Sequence, residues 1–152
     1  MGTPDHEPKL DYSFIADGIY VGTNACCTDH LAKMLGDEGI TVDISLESER
    51  LDQPFGVEAY LWLPTEDHAS PSPDQLKMGV VFIAQAVALH KKIYAHCKNG
   101  HGRAPTLVAA YFIAHGKTAD EAVALLKTKR PSIHLQDSQV GSLRRFAEIG
   151  IR

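Results

Sequence analysis

The stretch His96-Cys97-Lys98-Asn99-Gly100-His101-Gly102-Arg103 follows a short apolar run, Ile93-Tyr94-Ala95, and leads into Ala104-Pro105-Thr106. The run reads as a strand, and residues 105–115 read as a helix that stops at Gly116. A loop between a strand and a helix has a definite job to do. Gly100 and Gly102 permit positive φ and close approach of backbone to a ligand. Successive N–H groups can then turn inward as an anion nest, with the helix N-terminus adding positive potential. Pro105 lacks an N–H and fits the first helical turn. Arg103, with five residues between it and Cys97, supplies a planar fork for the oxygens of a phosphate. The same field favours the thiolate form of a cysteine at this position. Nucleophile and oxyanion receptor are one object, and a phosphate monoester bound there has its phosphorus beside the sulfur.

Outward from this loop, the chain divides into an early half of strands and a late half of helices. Residues 14–15 and 19–21 flank the turn Asp17-Gly18, a hairpin signal. A helix is expected next, with Leu31, Met34 and Leu35 on one face and Gly36 or Gly39 ending it. Residues 40–46 (ITVDISL) and 59–63 (AYLWL) read as short buried strands. Ser72-Pro73-Asp74-Gln75 is a helix start, with Ser at the N-cap, Pro at the first helical position and Gln three residues after the cap. Leu76, Val80, Ile83, Ala84 and Val87 then fall at helical spacing. Thr118 to Glu121 forms a second capping box, and a last helix from about Asp137 is expected to place Val140, Leu143 and Ala147 on one side. Trp62 is expected to pack in or against the sheet, and Arg144 and Arg145 on a solvated face. The pattern predicts an α/β fold: one domain over residues 11–152, a central mixed sheet of four to five strands flanked by helices, and residues 1–10 as a flexible segment.

Bulk composition narrows the function classes. The chain has 152 residues, 44% hydrophobic and 22% charged, with a formal net charge of -4. That balance suits one globular domain and argues against nucleic-acid binding through bulk positive charge. No apolar run reaches bilayer-spanning length, and the polar start with Pro4 and Pro8 reads as neither signal peptide nor anchor. Three cysteines, two of them the adjacent Cys26 and Cys27, read as cytosolic thiols rather than a disulfide framework. Eight histidines show no HExxH or finger spacing, so neither a metal nor another cofactor is expected. A cytoplasmic protein, monomeric and without membrane or nucleic-acid partners, is the expectation.

Displacement of a phosphate ester by a thiolate needs a proton for the leaving oxygen, and the same group can later activate water. Glu66 and Asp67 lie in Pro64-Thr65-Glu66-Asp67-His68, between a strand and the Ser72 cap. Either carboxyl could serve, and a solvated acidic turn is an equal reading of these residues.

His96-Cys97-x5-Arg103, with its glycines and its flanking strand and helix, resembles the signature of the protein tyrosine phosphatase superfamily, and specifically its small dual-specificity branch. That resemblance implies the corresponding fold, a phosphocysteine intermediate on Cys97, and phosphate binding by residues 98–103: Lys98, Asn99, Gly100, His101, Gly102 and Arg103. It selects Asp67 over Glu66 as the acid, because the family carries an Asp about thirty residues before the cysteine. It implies a water-orienting role for Gln139, for which a surface polar residue is the competing reading. His96 is read as a structural support that hydrogen-bonds backbone and holds the loop. One departure stands out: where the family commonly has Ser or Thr after the arginine, this chain has Ala104, which predicts slow hydrolysis of the intermediate.

The favoured substrate is phosphotyrosine in proteins, with phosphoserine or phosphothreonine admitted. A soluble phosphosugar, inositol phosphate or phosphoinositide is the alternative, since Lys98 and His101 partly match the loop lysines of phosphatase-and-tensin-homologue lipid phosphatases. A phosphate-binding module without catalysis and a sulfurtransferase are readings from other classes.

Overall fold

The computed structural model describes residues 10–24, 33–34 and 36–150. The expected flexible segment 1–10 lies outside them but for Leu10. So do Cys26, Cys27, Leu31 and Leu35, while the helix expected there is represented by residues 33, 34 and 36–38.

Strands β1 (Tyr12–Ala16), β2 (Ile19–Thr23), β3 (Ile40–Glu47), β4 (Ala59–Thr65) and β5 (Lys92–Cys97) form one mixed sheet in the order β1-β2-β5-β3-β4. Only β1 runs antiparallel, pairing with β2 through the expected two-residue turn. Asp17 and Gly18 both take positive φ, 55° and 77°, as a hairpin that matches strand twist requires. The other pairings are parallel, which sets β5 between β2 and β3 with Thr23 opposite Cys97 and Ser45 opposite His96. The C-terminal ends of four parallel strands thus share one edge, where open α/β sheets place their ligand sites.

Side chains alternate across the sheet with period two. Val21, Ile44, Ile93, Ala95 and Cys97 face the main core. Tyr20 and Tyr94 face the other way, into a smaller cluster with Met34 and Ile40. The main core is closed by helices α1 (Pro73–Ala88), α2 (Arg103–Ala114), α3 (Ala119–Lys129) and α4 (Asp137–Ile149). Every residue of α2 from Arg103 to Phe112 is buried, so this helix is the hub on which the others pack. The capping boxes at Ser72–Gln75 and Thr118–Glu121 form as expected, and a third one closes Gln136 with Gln139.

Two expectations are corrected. The buried face of α4 is Gln139, Leu143 and Phe146, while Ala147 is exposed. A polar residue at the head of the helix owns a core position, which hydrophobic periodicity cannot register. Trp62 is 37% exposed on the edge strand β4, its Nε1 donating to Glu47 O at 2.6 Å. Among the described residues no helix is long and apolar enough to cross a membrane.

Candidate active site

Strand β5 ends at Cys97 and α2 begins at Arg103, so residues 98–102 make the turn between them. Gly100 sits at φ 67°, and a Cβ there would lie 2.6 Å from Gly22 C and 2.9 Å from Arg130 Nη2. The loop therefore rests on β2 where no side chain fits. A Cβ at Gly102 would meet the Gln139 amide at 2.8–2.9 Å. Gly102 is also the N-cap of α2 and supplies no side-chain cap, so the first-turn N–H groups face the loop without a side-chain acceptor.

Arg130, a residue the sequence did not single out, secures this loop from behind. It is 2% exposed, and it donates from Nε to Gly100 O (3.1 Å) and from Nη2 to Asn99 O (3.2 Å). Tying two loop carbonyls to a buried guanidinium holds them away from the ligand side and leaves the N–H groups for an anion.

Cys97 is a free, buried cysteine at the floor of a cavity of about 120 Å³. Asp67, His68, Asn99, His101, Gly102, Arg103, His134, Gln136 and Gln139 line the rest of that cavity. Of the residues expected to hold phosphate, Lys98 and Gly100 do not line it: Lys98 is exposed to solvent and Gly100 is buried beneath. Glu66 is exposed and also lies outside the lining, whereas Asp67 has Oδ1 3.6 Å from Arg103 Nη2.

Arg103 is nearly fully buried, with its fork already engaged. Nη1 donates to Glu49 Oε1 at 2.7 Å and to Thr65 O at 2.8 Å, and Nη2 donates to Glu49 Oε2 at 3.1 Å. Nε is left buried and without a partner. Burial works against the guanidinium charge, but the Glu49 hydrogen bond and the Cys97 sulfur more than restore it, so its pKa is raised. Conversely, the Arg103 hydrogen bond pulls Glu49 below the usual carboxylate range. Glu49 lies 54 positions from Arg103, beyond the reach of any spacing argument.

Gln139 is 1% exposed, which removes the surface reading. Its Oε1 accepts from Gln136 N at 2.8 Å and its Nε2 donates to Ala69 O at 2.9 Å. Ser138 Oγ donates to His68 O at 3.3 Å. The head of α4 thus grips the loop that carries Asp67.

His96 departs from its expected bonding. Its partner is a carboxylate rather than backbone: Nε2 is 2.9 Å from Asp43 Oδ1 and 3.8 Å from Asp52 Oδ2, and its ring stacks on Tyr94 at 5.1 Å. Full burial would depress the imidazole, but Asp43 and then Asp52 outweigh it and hold the pKa above the usual value. Asp52 in turn pairs with Arg50 at 2.9 Å. Asp43, Asp52 and His96 offer ligand atoms within 4.8 Å of one another. A cation there would have to displace the imidazolium from its ion pair.

The dual specificity phosphatase catalytic domain family matches residues 19–149. Human phosphatidylglycerophosphatase and protein-tyrosine phosphatase 1 is 39% identical over 94 residues, which are 60% of this chain and 46% of that protein. The tyrosine-protein phosphatase yvh1 of Schizosaccharomyces pombe is 27% identical over 140 residues, 91% of this chain and 42% of that protein. The chain spans a little under half the length of these two relatives. The crystal structure of PTPMT1 in complex with PI(5)P aligns with a TM-score of 0.82 at 28% identity, covering 90% of this chain and 94% of that one. The match across both the Cys97 loop and the sheet that carries it shows that the chain belongs to the dual specificity phosphatase family, within the cysteine-dependent protein tyrosine phosphatase superfamily.

Proposed function

We propose that the chain hydrolyses phosphate monoesters through a phosphocysteine intermediate, and that its substrate is a phosphorylated lipid headgroup. The observation that carries the chemistry is the buried Arg103 guanidinium, which lines the cavity together with Cys97 and leaves its Nε without a protein partner. An unmet buried donor is costly, and a phosphate oxygen is the acceptor this site can supply.

Phosphate seats on the loop N–H groups, the uncapped α2 N-terminus and Arg103. The Cys97 thiolate attacks phosphorus, the S–P bond forms as the P–O bond breaks, and Asp67 gives its proton to the departing oxygen. In the second step the Asp67 carboxylate takes a proton from water. The water oxygen attacks phosphorus as the S–P bond breaks, which releases inorganic phosphate and restores the Cys97 thiolate and the protonated Asp67. Gln139 has one Nε2 proton left after its bond to Ala69 O, and that proton orients the water.

The lipid reading draws on the relative named for phosphatidylglycerophosphate hydrolysis and on the likeness to a protein crystallised with a phosphoinositide. Phosphotyrosine in proteins, favoured from the sequence, keeps support from the longer alignment to yvh1. Rates on phosphatidylglycerophosphate vesicles, phosphoinositide vesicles, and phosphotyrosine and phosphothreonine peptides measured side by side decide between them. Faster kcat/KM on the peptides than on either lipid overturns the substrate class. Hydrolysis of an aryl phosphate that survives Cys97→Ser, or that requires an added divalent ion, overturns the mechanism itself.

A further inference from the structure

We propose that His68, His101 and His134 form a second anion subsite at the mouth of the Cys97 cavity, which takes a phosphodiester close to the scissile phosphomonoester. The inference rests on the phosphatase reading above and deepens it. Three of the chain's eight histidines line this one cavity. They come from three separate segments: the acid loop after β4, the phosphate loop, and the connection between α3 and α4.

Each is fixed at its backbone. His134 N donates to His101 O at 2.9 Å, which ties the third segment to the second. His68 sits in the left-handed region at φ 68°, its carbonyl accepting from Ser138 Oγ and its Nδ1 lying 3.4 Å from Gln136 Nε2. All three residues are exposed at the rim, whereas Cys97 and Arg103 are buried below them.

Charge placement gives these imidazoles their role. Arg103, the one Lys or Arg in the cavity lining among the described residues, is committed to Glu49 and to the first phosphate. Lys98 points away. A second anionic group on the substrate therefore meets the N–H donors of these histidines, with no further Lys or Arg among the described lining residues. An imidazole donates an N–H in its neutral form as well as in its charged form.

A short polyol joins the two phosphates in such a substrate. The test uses two of them, the soluble deacylated headgroup that carries one monoester and one diester and the intact diacyl lipid in vesicles, beside glycerol monophosphate, which has no second phosphate. The expected result is a kcat/KM for the deacylated headgroup about tenfold above glycerol monophosphate, with most of the gain in KM. In His134→Ala and His68→Asn that ratio falls severalfold, and in the double variant it approaches one. Asn tolerates the positive φ at residue 68, and both sites are exposed, so folding is not at risk.

If both soluble substrates are hydrolysed at equal kcat/KM, the subsite is overturned and the phosphatase reading stands. A preference seen only on vesicles, or one that survives the double variant, overturns it equally. If Cys97-dependent hydrolysis of every substrate is absent, both readings fall.

Discussion

Ala104 is fully buried at the start of α2, and the nearest hydroxyl on that helix is spoken for: Thr106 Oγ1 donates to Gly102 O at 2.7 Å. No side-chain hydroxyl of α2's first turn is therefore free to stabilise the departing thiolate in the second step. A rapid-mixing experiment should show a burst of leaving group close to one equivalent of enzyme, then slower turnover. Ala104→Ser should raise the steady rate and leave the burst amplitude unchanged; absence of a burst together with unchanged turnover would remove the idea. Assignment of the acid is decided at the same scale. Asp67→Asn should abolish the basic limb of the pH–rate profile, whereas Glu66→Gln should keep it, because only Asp67 borders the cavity. The reverse outcome would transfer the role to Glu66. Cys97 and Arg103 were legible from the sequence because both belong to one short loop, where chain spacing fixes spatial distance. Glu49 and Arg130 were not, since they reach the loop through side chains from 54 and 30 positions away.

At the level of elements, the phosphate loop is held by two contacts that act on its backbone. Gly100 needs φ 67° over the Gly22 peptide, and Arg130 binds the Asn99 and Gly100 carbonyls. Gly100→Ala should destabilise by about 1–3 kcal/mol from backbone strain, before any clash with Gly22 is counted. Arg130→Met keeps much of the buried volume and removes the donors. Hydrogen bonds to charged groups contribute about 1.5–3 kcal/mol each, and Asp11 and Ser13 lose their partner too. A fall in the urea midpoint with a loss of kcat/KM of at least tenfold is expected for Arg130→Met. Equal activity per folded molecule would show that the loop keeps its shape unaided. Element positions were largely legible, because caps and turns are local: Ser72, Thr118 and Asp17-Gly18 each mark a boundary the structure keeps. The buried face of α4 was not, because Gln139 earns its core position from partners at Ala69 and Gln136 rather than from hydrophobicity.

Across the whole molecule, the sheet separates an apolar face covered by α1–α4 from a face that buries charge, and that second face governs how stability responds to pH. The alternation of strands and helices revealed the layers, but it could not reveal that Asp43 and His96 share the polar face, a consequence of the parallel β3–β5 register. Fully buried His96 is held protonated above its ordinary value of 6.5, against the pull of burial, by Asp43 and Asp52. A group whose pKa rises on folding adds stability that is fully present below its unfolded value and is lost as pH climbs through the folded one. Unfolding free energy should therefore decline above about pH 6.5, with a limiting slope of about 1.4 kcal/mol per pH unit for one proton. Glu49 works with the opposite sign at the acid end: its lowered pKa adds stability above 4.5 that is lost as pH falls through the folded value. Urea unfolding of the Cys97→Ser protein between pH 6 and 9, compared with the same protein carrying His96→Gln, isolates the histidine in the difference. His96→Gln in that background should be less stable at pH 6.5 and should flatten the decline. A parallel loss of stability at every pH would show that His96 contributes by packing on Tyr94 alone, and that its charge has no part in holding β5 beneath the phosphate loop.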